Sequence, residues 1–95
     1  MAFELVEFCE PAPKPGEPFA GTSQTVIGTY DVEAEAIAVG RDRWTAIRSD
    51  TDNVDVMWWI VRRPGETLAR WIADKGSPVE QILDLRTNEL MPVRQ

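Results

Sequence analysis

Residues 54–73 have the sequence VDVMWWIVRRPGETLARWIA and contain three of the four tryptophans of the chain. Two apolar runs flank the RPGE segment at residues 63–66, which has the composition of a tight turn. Proline presets φ at the first central position of a type II turn, and glycine supplies the positive φ that the second position requires. The stretch therefore predicts a β-hairpin, around which we expect the rest of the fold to be arranged.

The turn also predicts a register for the hairpin. If Pro64 and Gly65 are the central turn residues, strand positions whose numbers sum to 129 face each other, and a slip by one residue would exchange the faces. One predicted face carries Val56, Trp58, Ile60, Ala69, Trp71 and Ala73. The other predicted face carries Met57, Trp59, Val61, Leu68, Arg70 and Ile72. Both faces are mainly apolar, whereas an antiparallel sheet usually leaves one face polar and in water.

An amphipathic helix is predicted over residues 31–49. Its apolar positions, Ile37, Gly40, Trp44 and Ile47, recur at the spacing of one helical face. Acidic residues near the start and arginines near the end match the helix dipole. Glycine inside a helix costs about 1 kcal/mol relative to alanine, so Gly40 indicates that another backbone approaches the helix closely there.

Shorter β patterns occupy residues 3–9, 24–30, 79–86 and 90–93. Residues 10–23 hold four of the seven prolines and are predicted to form a loop, because proline cannot donate a hydrogen bond to a strand ladder. The predicted fold class is α+β, in a single domain of residues 1–95. One amphipathic helix packs on a four- to six-stranded antiparallel sheet that ends in a C-terminal β-meander.

The helix can cover only one sheet face, and we assign it to the first, where Ala69 and Ala73 leave room. The second face then needs another cover. Either the N-terminal segment with Phe8 and Phe19 folds over it, or another subunit or protein partner does. Tryptophan, methionine and arginine are enriched at interfaces, and large apolar patches seldom stay exposed on monomers. The second face is therefore the candidate interface, and a homodimer is the favoured assembly.

The alternative prediction is a small-molecule-binding or catalytic domain with a pocket between helix and sheet. Trp44, Trp58 and Trp71 would line that pocket, although large aromatic residues also dominate small cores without binding anything. The chain has no histidine, which is the usual acid–base catalyst at neutral pH. The acidic neighbours of Cys9 disfavour a reactive thiolate. We predict no catalytic residues, and the sequence favours a protein that is not an enzyme.

No cofactor or metal is predicted, because one cysteine without histidine makes no ligand set. Residues 50–55, DTDNVD, place oxygen ligands at alternate positions, as calcium loops do. A calcium loop requires glycine at its sixth position and glutamate at its twelfth, where Asp55 and Val61 stand instead. We therefore interpret this segment as a solvated turn.

The net charge of −6 lies entirely in the first part of the chain, since residues 1–40 carry seven acidic residues and one lysine. An acidic chain repels phosphate backbones. A single-stranded nucleic-acid binder using Trp59, Arg62, Arg63 and Arg70 is accordingly the weakest alternative. There is no 18-residue apolar run or signal peptide, so we predict no membrane partner and a cytoplasmic location. The predicted function is that of a small, non-enzymatic, bacterial-type domain that self-associates or binds a partner through an apolar sheet face.

Overall fold

The computed structural model describes residues 2–18 and 21–93, in which one helix packs on a six-stranded antiparallel sheet. The elements are β1 (Phe3–Glu10), β2 (Ser23–Tyr30), α1 (Glu33–Arg48), β3 (Val56–Arg62), β4 (Trp71–Asp74), β5 (Glu80–Asp84) and β6 (Glu89–Val93). The strand order is β2-β1-β3-β4-β5-β6, so the last four strands form a meander. The predicted α+β class and C-terminal β-meander are confirmed.

Strand β1 lies inside the sheet, between β2 and β3. Its consecutive residues Leu5 and Val6 are both fully buried, although neighbours in a strand point to opposite faces. Burial on both faces removes the need for polar residues on alternate positions. This explains why the sequence of β1 alternates only partially.

Helix α1 begins at Glu33, with Val32 as its N-cap residue and no capping hydrogen bond from a side chain. The predicted helix over residues 31–49 thus has the right place, but Asp31 and Val32 precede it and Ser49 follows it. The helix buries one stripe of residues against the sheet: Ala36, Ile37, Gly40 and Trp44. Beyond this stripe, Arg41 Nε donates to Oε2 of the buried Glu80 at 2.8 Å, which ties the helix to β5.

Gly40 marks the closest approach of α1 to the sheet. A Cβ atom at this position would lie 2.8 Å from Cζ3 of Trp71 and 2.9 Å from Cδ1 of Leu5. The sequence predicted such an approach, but the approaching groups are side chains and not another backbone. Any larger residue at position 40 would have to push the helix away from the sheet or displace the Trp71 ring.

The hairpin register predicted from the turn is wrong. Trp59 faces Ala73 and Val61 faces Trp71, so facing positions sum to 132. The local turn does form, because Gly65 has φ 88°, but β4 begins only at Trp71. Residues 63–70 therefore form a loop. The register is shifted by three positions, and because three is an odd number, the residues of β4 lie on the sheet face opposite to the one predicted for them.

The sheet consequently has a helix face, which α1 covers, and an opposite outer face. The buried core on the helix face consists of Leu5, Ala36, Ile37, Trp44, Met57, Trp59, Val61, Trp71 and Ala73. Within it the rings of Trp44 and Trp71 meet edge to face, with centroids 6.4 Å apart. Among the described residues, no helix is long and apolar enough to cross a membrane.

Candidate interaction surface

The outer face carries an apolar row that crosses four strands. On neighbouring strands, Val26 pairs with Val6, and Val6 pairs with Ile60. Ile60 then pairs with Ile72, and the row ends where Ile72 meets Gln81 on β5. Directly paired residues of an antiparallel sheet project from the same face and contact one another. The row is thus one continuous apolar strip across β2, β1, β3 and β4.

An aromatic ridge adjoins this row. Phe8 and Trp58 are paired across β1 and β3, and their rings stack with centroids 5.2 Å apart and planes 4° from parallel. Both side chains are half-buried. Such a pair contributes about 0.5–1.5 kcal/mol beyond the area that it buries. The stack holds Trp58 in a fixed position with part of its ring still in solvent.

No helix lies on the outer face in the described part of the chain, because α1 packs on the other side. Residues 11–18 of the proline-rich loop are all exposed, so this part of the loop buries little of the sheet. Phe19, which the sequence offered as a cover together with Phe8, lies outside the described residues. Val26 and Val56 remain 49% and 53% exposed, whereas Val6 at the centre of the row is fully buried. An apolar face that stays partly open is typical of an interaction site.

A depression borders the row toward β6. It has a volume of about 280 Å³ and is lined by Ile72, Asp74, Ser77, Val79, Gln81 and Pro92. Its walls combine apolar side chains with a carboxylate and an amide. The outer face thus presents the Phe8–Trp58 stack on β1 and β3 and a recess on β4 to β6.

The outer face keeps its charges at its ends. At one end, Arg62 Nη2 lies 3.1 Å from Glu4 Oε2, so these two charges neutralise each other. At the other end, Asp74 Oδ1 accepts a hydrogen bond from the backbone N–H of Gly76 at 2.7 Å. Asp74 is the cross-strand partner of Trp58, so a surface that docks over Trp58 also has to desolvate this carboxylate.

The predicted interface consisted of Met57, Trp59, Val61, Leu68, Arg70 and Ile72. The structure does not bring these residues to one face. Met57, Trp59 and Val61 lie buried beneath α1, and Ile72 lies on the outer face. Leu68 belongs to the loop after the turn and is 37% exposed. The prediction that these residues share an uncovered face is wrong because it depended on the hairpin register.

Arg70 precedes β4 and is bound within its own loop. Its Nε and Nη2 atoms donate to the two carboxylate oxygens of Glu66 at 2.8 and 2.6 Å. The predicted register would have set Arg70 opposite Trp59, but Ala73 faces Trp59 instead. Trp59 is fully buried, so it is not available to stack a nucleic-acid base.

The three tryptophans of the predicted pocket do not line a common cavity. Trp44 and Trp71 are fully buried core residues in contact with each other, whereas Trp58 lies on the opposite face of the sheet. Trp44 donates its indole N–H to the carbonyl of Asp74 at 2.8 Å. The indole nitrogen of Trp71 is buried and has no partner among the described residues.

A polar network on the helix face was not foreseen from the sequence. The Glu7 carboxylate accepts hydrogen bonds from Trp59 Nε1 at 2.9 Å and from Arg43 Nη2 at 3.1 Å, and it also accepts one from Arg43 Nε. Burial raises the pKa of Glu7, but these hydrogen bonds outweigh it, so the pKa lies below its ordinary value. The signal in the sequence was a glutamate at a position that faces the core. Glu7 is held as a carboxylate at neutral pH and is not poised to exchange a proton.

The acidic turn at residues 50–55 is closed by a lysine. Lys75 Nζ lies 2.7 Å from the carbonyl oxygen of Asn53, 2.8 Å from Asn53 Oδ1 and 2.6 Å from the carbonyl oxygen of Asp55. Three acceptors match the three hydrogens of an ammonium group. The ammonium thus occupies the place that a cation would take in this turn. No group of three or more potential ligands able to hold a metal occurs within the described residues.

Cys9 lies on the helix face, with its sulfur 3.7 Å from Asp55 Oδ2. Burial and the neighbouring Asp55 carboxylate raise the pKa of the Cys9 thiol. A raised pKa lowers the fraction of nucleophilic thiolate at neutral pH. The geometry around Cys9 therefore suits a structural thiol and not a catalytic one.

Comparisons of the chain with protein-family models, with curated proteins and with solved structures give no match.

Proposed function

We propose that this chain is a self-associating domain without enzymatic activity, and that its outer sheet face forms a two-fold dimer. The observation that carries this proposal is the apolar row with the adjoining Phe8–Trp58 ridge, on a face that no described helix covers. The sequence had pointed to an apolar face needing cover. We propose the face opposite the one first assigned, because α1 packs on the face that carries Met57, Trp59 and Val61.

The physical basis is the burial of apolar surface. Two sheets that pack face to face lie about 10 Å apart and interleave the side chains of their facing sides. Burial contributes roughly 25 cal/mol for each Å² of apolar area removed from water. A two-fold interface uses the same patch on both copies, so one uncovered face per chain is sufficient.

The polar groups favour this proposal over catalysis. Glu7 is fixed as a carboxylate by Arg43 and Trp59, and the Cys9 thiol is held in its neutral form beside Asp55. Neither group is suited to act as a base or nucleophile near neutral pH. A single cysteine kept as a thiol also suits a reducing compartment such as the cytoplasm.

Sedimentation velocity on a concentration series tests the proposal. Trp58→Glu places a charge in the middle of the proposed interface, and we expect it to weaken self-association at least tenfold. Val54→Glu is the matched control, because Val54 is 72% exposed and precedes β3 outside the apolar row. We expect the control to associate as the wild-type chain does.

Two results would contradict the proposal. One is a wild-type chain that stays monomeric up to millimolar concentration. The other is a Trp58→Glu variant that keeps its fold and associates with unchanged affinity. Circular dichroism of each variant establishes that a loss of association is not a loss of folding.

A further inference from the structure

We infer that strand β2 is a docking edge, at which an extended peptide segment of a partner protein adds a further strand to the sheet. This segment is uncharged in its middle and carries a basic residue at each end. The inference goes beyond the proposed dimer and does not rest on it, since it uses the edge of the sheet and not the packing of two outer faces.

The two edges of the sheet differ in their protection against further pairing. A free edge carries unpaired backbone N–H and C=O groups, and proteins protect it with short strands, prolines or charges. Strand β6 has five residues and contains Pro92 and Glu89. Strand β2 has eight residues and contains neither a proline nor a charged residue. The β2 edge is therefore the one that can accept another strand.

The first half of β2, residues 23–26, is open to solvent. All of these residues are exposed, although neighbours in a strand point to opposite faces of the sheet. Within residues 2–18 and 21–93, the strand that pairs with β2 is β1, on one side. The backbone groups on the other side of β2 are thus available to a partner, and residues 23–26 are long enough for a short strand pair.

A β-bulge sets the limit of this docking segment. Leu5 pairs with Gly28 and Val6 pairs with Val26, so Ile27 has no partner on β1. A bulge twists its strand and interrupts regular pairing. We therefore place the paired part of the added strand on residues 23–26, before the bulge.

The charges around β2 define the chemistry of the partner. Residues 18–30 form the longest stretch of the chain without a charged residue, so the middle of the added segment meets no charge on β2. Glu10 lies beside the start of β2, where its Oε1 accepts a hydrogen bond from the Thr22 hydroxyl at 3.0 Å. Asp31 follows the end of β2.

Neither of these two carboxylates forms an ion pair within the described part of the chain. A basic residue at each end of the added segment supplies the opposite charge, and such complementarity favours one partner over others. The net charge of −6 also attracts a basic segment at longer range.

The side chains of β2 define the middle of the partner segment. Strand addition draws its affinity from main-chain hydrogen bonds and its specificity from alternate side chains. On the outer face the added strand lies beside Val26, which is 49% exposed, so an apolar side chain there extends the apolar row. On the helix face it lies beside Thr25, where a threonine makes a favourable cross-strand pair. The segment therefore alternates between apolar residues and threonine or serine.

A synthetic peptide tests the inference on the unaltered chain. The probe has the sequence Lys-Thr-Val-Thr-Val-Thr-Val-Lys, with acetylated and amidated ends, and is titrated into the ¹⁵N-labelled protein. We expect the largest amide shifts in residues 23–26 and slower hydrogen exchange there. Affinity should fall as NaCl is added, since salt screens the charged ends. No binding at millimolar peptide, or shifts centred on Trp58 and Ile72, would overturn the inference.

A matched peptide isolates the role of the backbone. Methylation of the backbone nitrogens of all residues between the two lysines keeps every side chain and charge but removes the hydrogen-bond donors. We expect this peptide to bind at least tenfold more weakly than the probe. Equal binding of the two peptides would mean that charge and apolar contact alone hold the probe, and it would overturn strand addition.

A pair of substitutions locates the edge that is used. Val26→Lys places a lysine on β2, and we expect it to weaken binding of the probe at least tenfold. Met91→Lys is the control, because Met91 is 46% exposed on the opposite edge strand β6 and the change in net charge is the same. We expect the control to bind normally. A folded Val26→Lys variant with unchanged affinity would contradict docking at β2.

Hydrogen exchange without peptide distinguishes a partner segment from a second copy of this chain. We expect the β2 amides that do not bond to β1 to exchange rapidly at every protein concentration. Protection that rises with protein concentration would mean that β2 pairs with itself, which would overturn the inference. A wild-type chain that stays monomeric and binds the probe at residues 23–26 would contradict the proposed function alone.

Discussion

Trp58 and Trp59 are neighbours in sequence, yet they lie in different surroundings. Trp59 is fully buried under α1 and donates its indole N–H to Glu7 at 2.9 Å. Trp58 projects to the outer face and stacks on Phe8. The difference follows from the alternation of side chains along a strand. The same residue type therefore serves the core at one position and, in our proposal, an interface at the next.

Glu7 determines how the core tolerates low pH. Replacing it by glutamine removes a charge that accepts hydrogen bonds from Arg43 and Trp59. We expect Glu7→Gln to lower the free energy of unfolding at pH 7 by about 1–3 kcal/mol, since hydrogen bonds to charged groups are among the stronger ones. Urea denaturation measures this difference.

The pH dependence has a defined sign. Because the pKa of Glu7 is lowered in the folded chain, its stabilising contribution is present above the unfolded pKa and is lost as pH falls through the folded pKa. The difference between wild type and Glu7→Gln should therefore shrink below about pH 4. The control is Glu17→Gln in the exposed proline-rich loop, which we expect to change little. A difference that stays constant down to pH 2 would contradict this role of Glu7.

At the scale of elements, the packing of α1 depends on Gly40. Alanine at this position would gain about 1 kcal/mol in helix propensity, but its Cβ would lie 2.8 Å from the Trp71 ring. Overpacking a core costs about 1–3 kcal/mol, so we expect Gly40→Ala to lower the free energy of unfolding by about 1–2 kcal/mol. Thermal or urea denaturation measures the change.

The comparison variant for this prediction is Ala38→Gly on the exposed side of α1. It loses helix propensity alone, which costs about 1 kcal/mol. If Gly40→Ala instead stabilised the chain, the helix would not approach the sheet as closely as the Gly40–Trp71 distance indicates.

The local elements could be predicted from the sequence, whereas the pairing of the hairpin could not. The spacing of Ile37, Gly40 and Trp44 defines a helical face without any knowledge of the partner strands. The turn at Pro64 and Gly65 also forms as its composition indicates. The point at which pairing resumes depends on the loop that Glu66 and Arg70 hold and on the packing of Trp71 against α1. The Glu66–Arg70 ion pair is local, but the packing of Trp71 joins distant parts of the chain, and no local pattern encodes it.

For the candidate site, too, one part could be predicted from the sequence and another part could not. The composition indicates more apolar sheet surface than one helix can cover. The outer face does carry apolar residues that α1 does not cover. The choice of the face that α1 covers required the register, because it relied on Ala73 lying on the face of Trp58, whereas Ala73 faces Trp59. The stack of Phe8 on Trp58 joins β1 to β3, and its pairing also could not be read from the hairpin alone. An odd shift in register exchanges the faces completely.

At the scale of the whole molecule, the net charge of −6 opposes the association that the outer face favours. Two copies repel at long range, and salt screens that repulsion within about 8 Å at physiological ionic strength. The Asp74 carboxylate beside Trp58 adds to this repulsion when two outer faces meet. We therefore expect self-association to strengthen between 50 and 500 mM NaCl, which sedimentation equilibrium can measure. Association that weakens with salt would instead indicate an interface built on ion pairs.

In our proposal the outer face, and not the helix face, carries the association. ¹⁹F NMR of the chain labelled with 5-fluorotryptophan tests it in one dilution series, with each resonance assigned by a Trp→Phe variant. Trp44, Trp59 and Trp71 are fully buried in the core, whereas Trp58 alone among the four lies half-buried on the outer face. We expect only the Trp58 resonance to shift as the concentration falls from millimolar to micromolar. A Trp58 resonance that stays fixed throughout the series would contradict it.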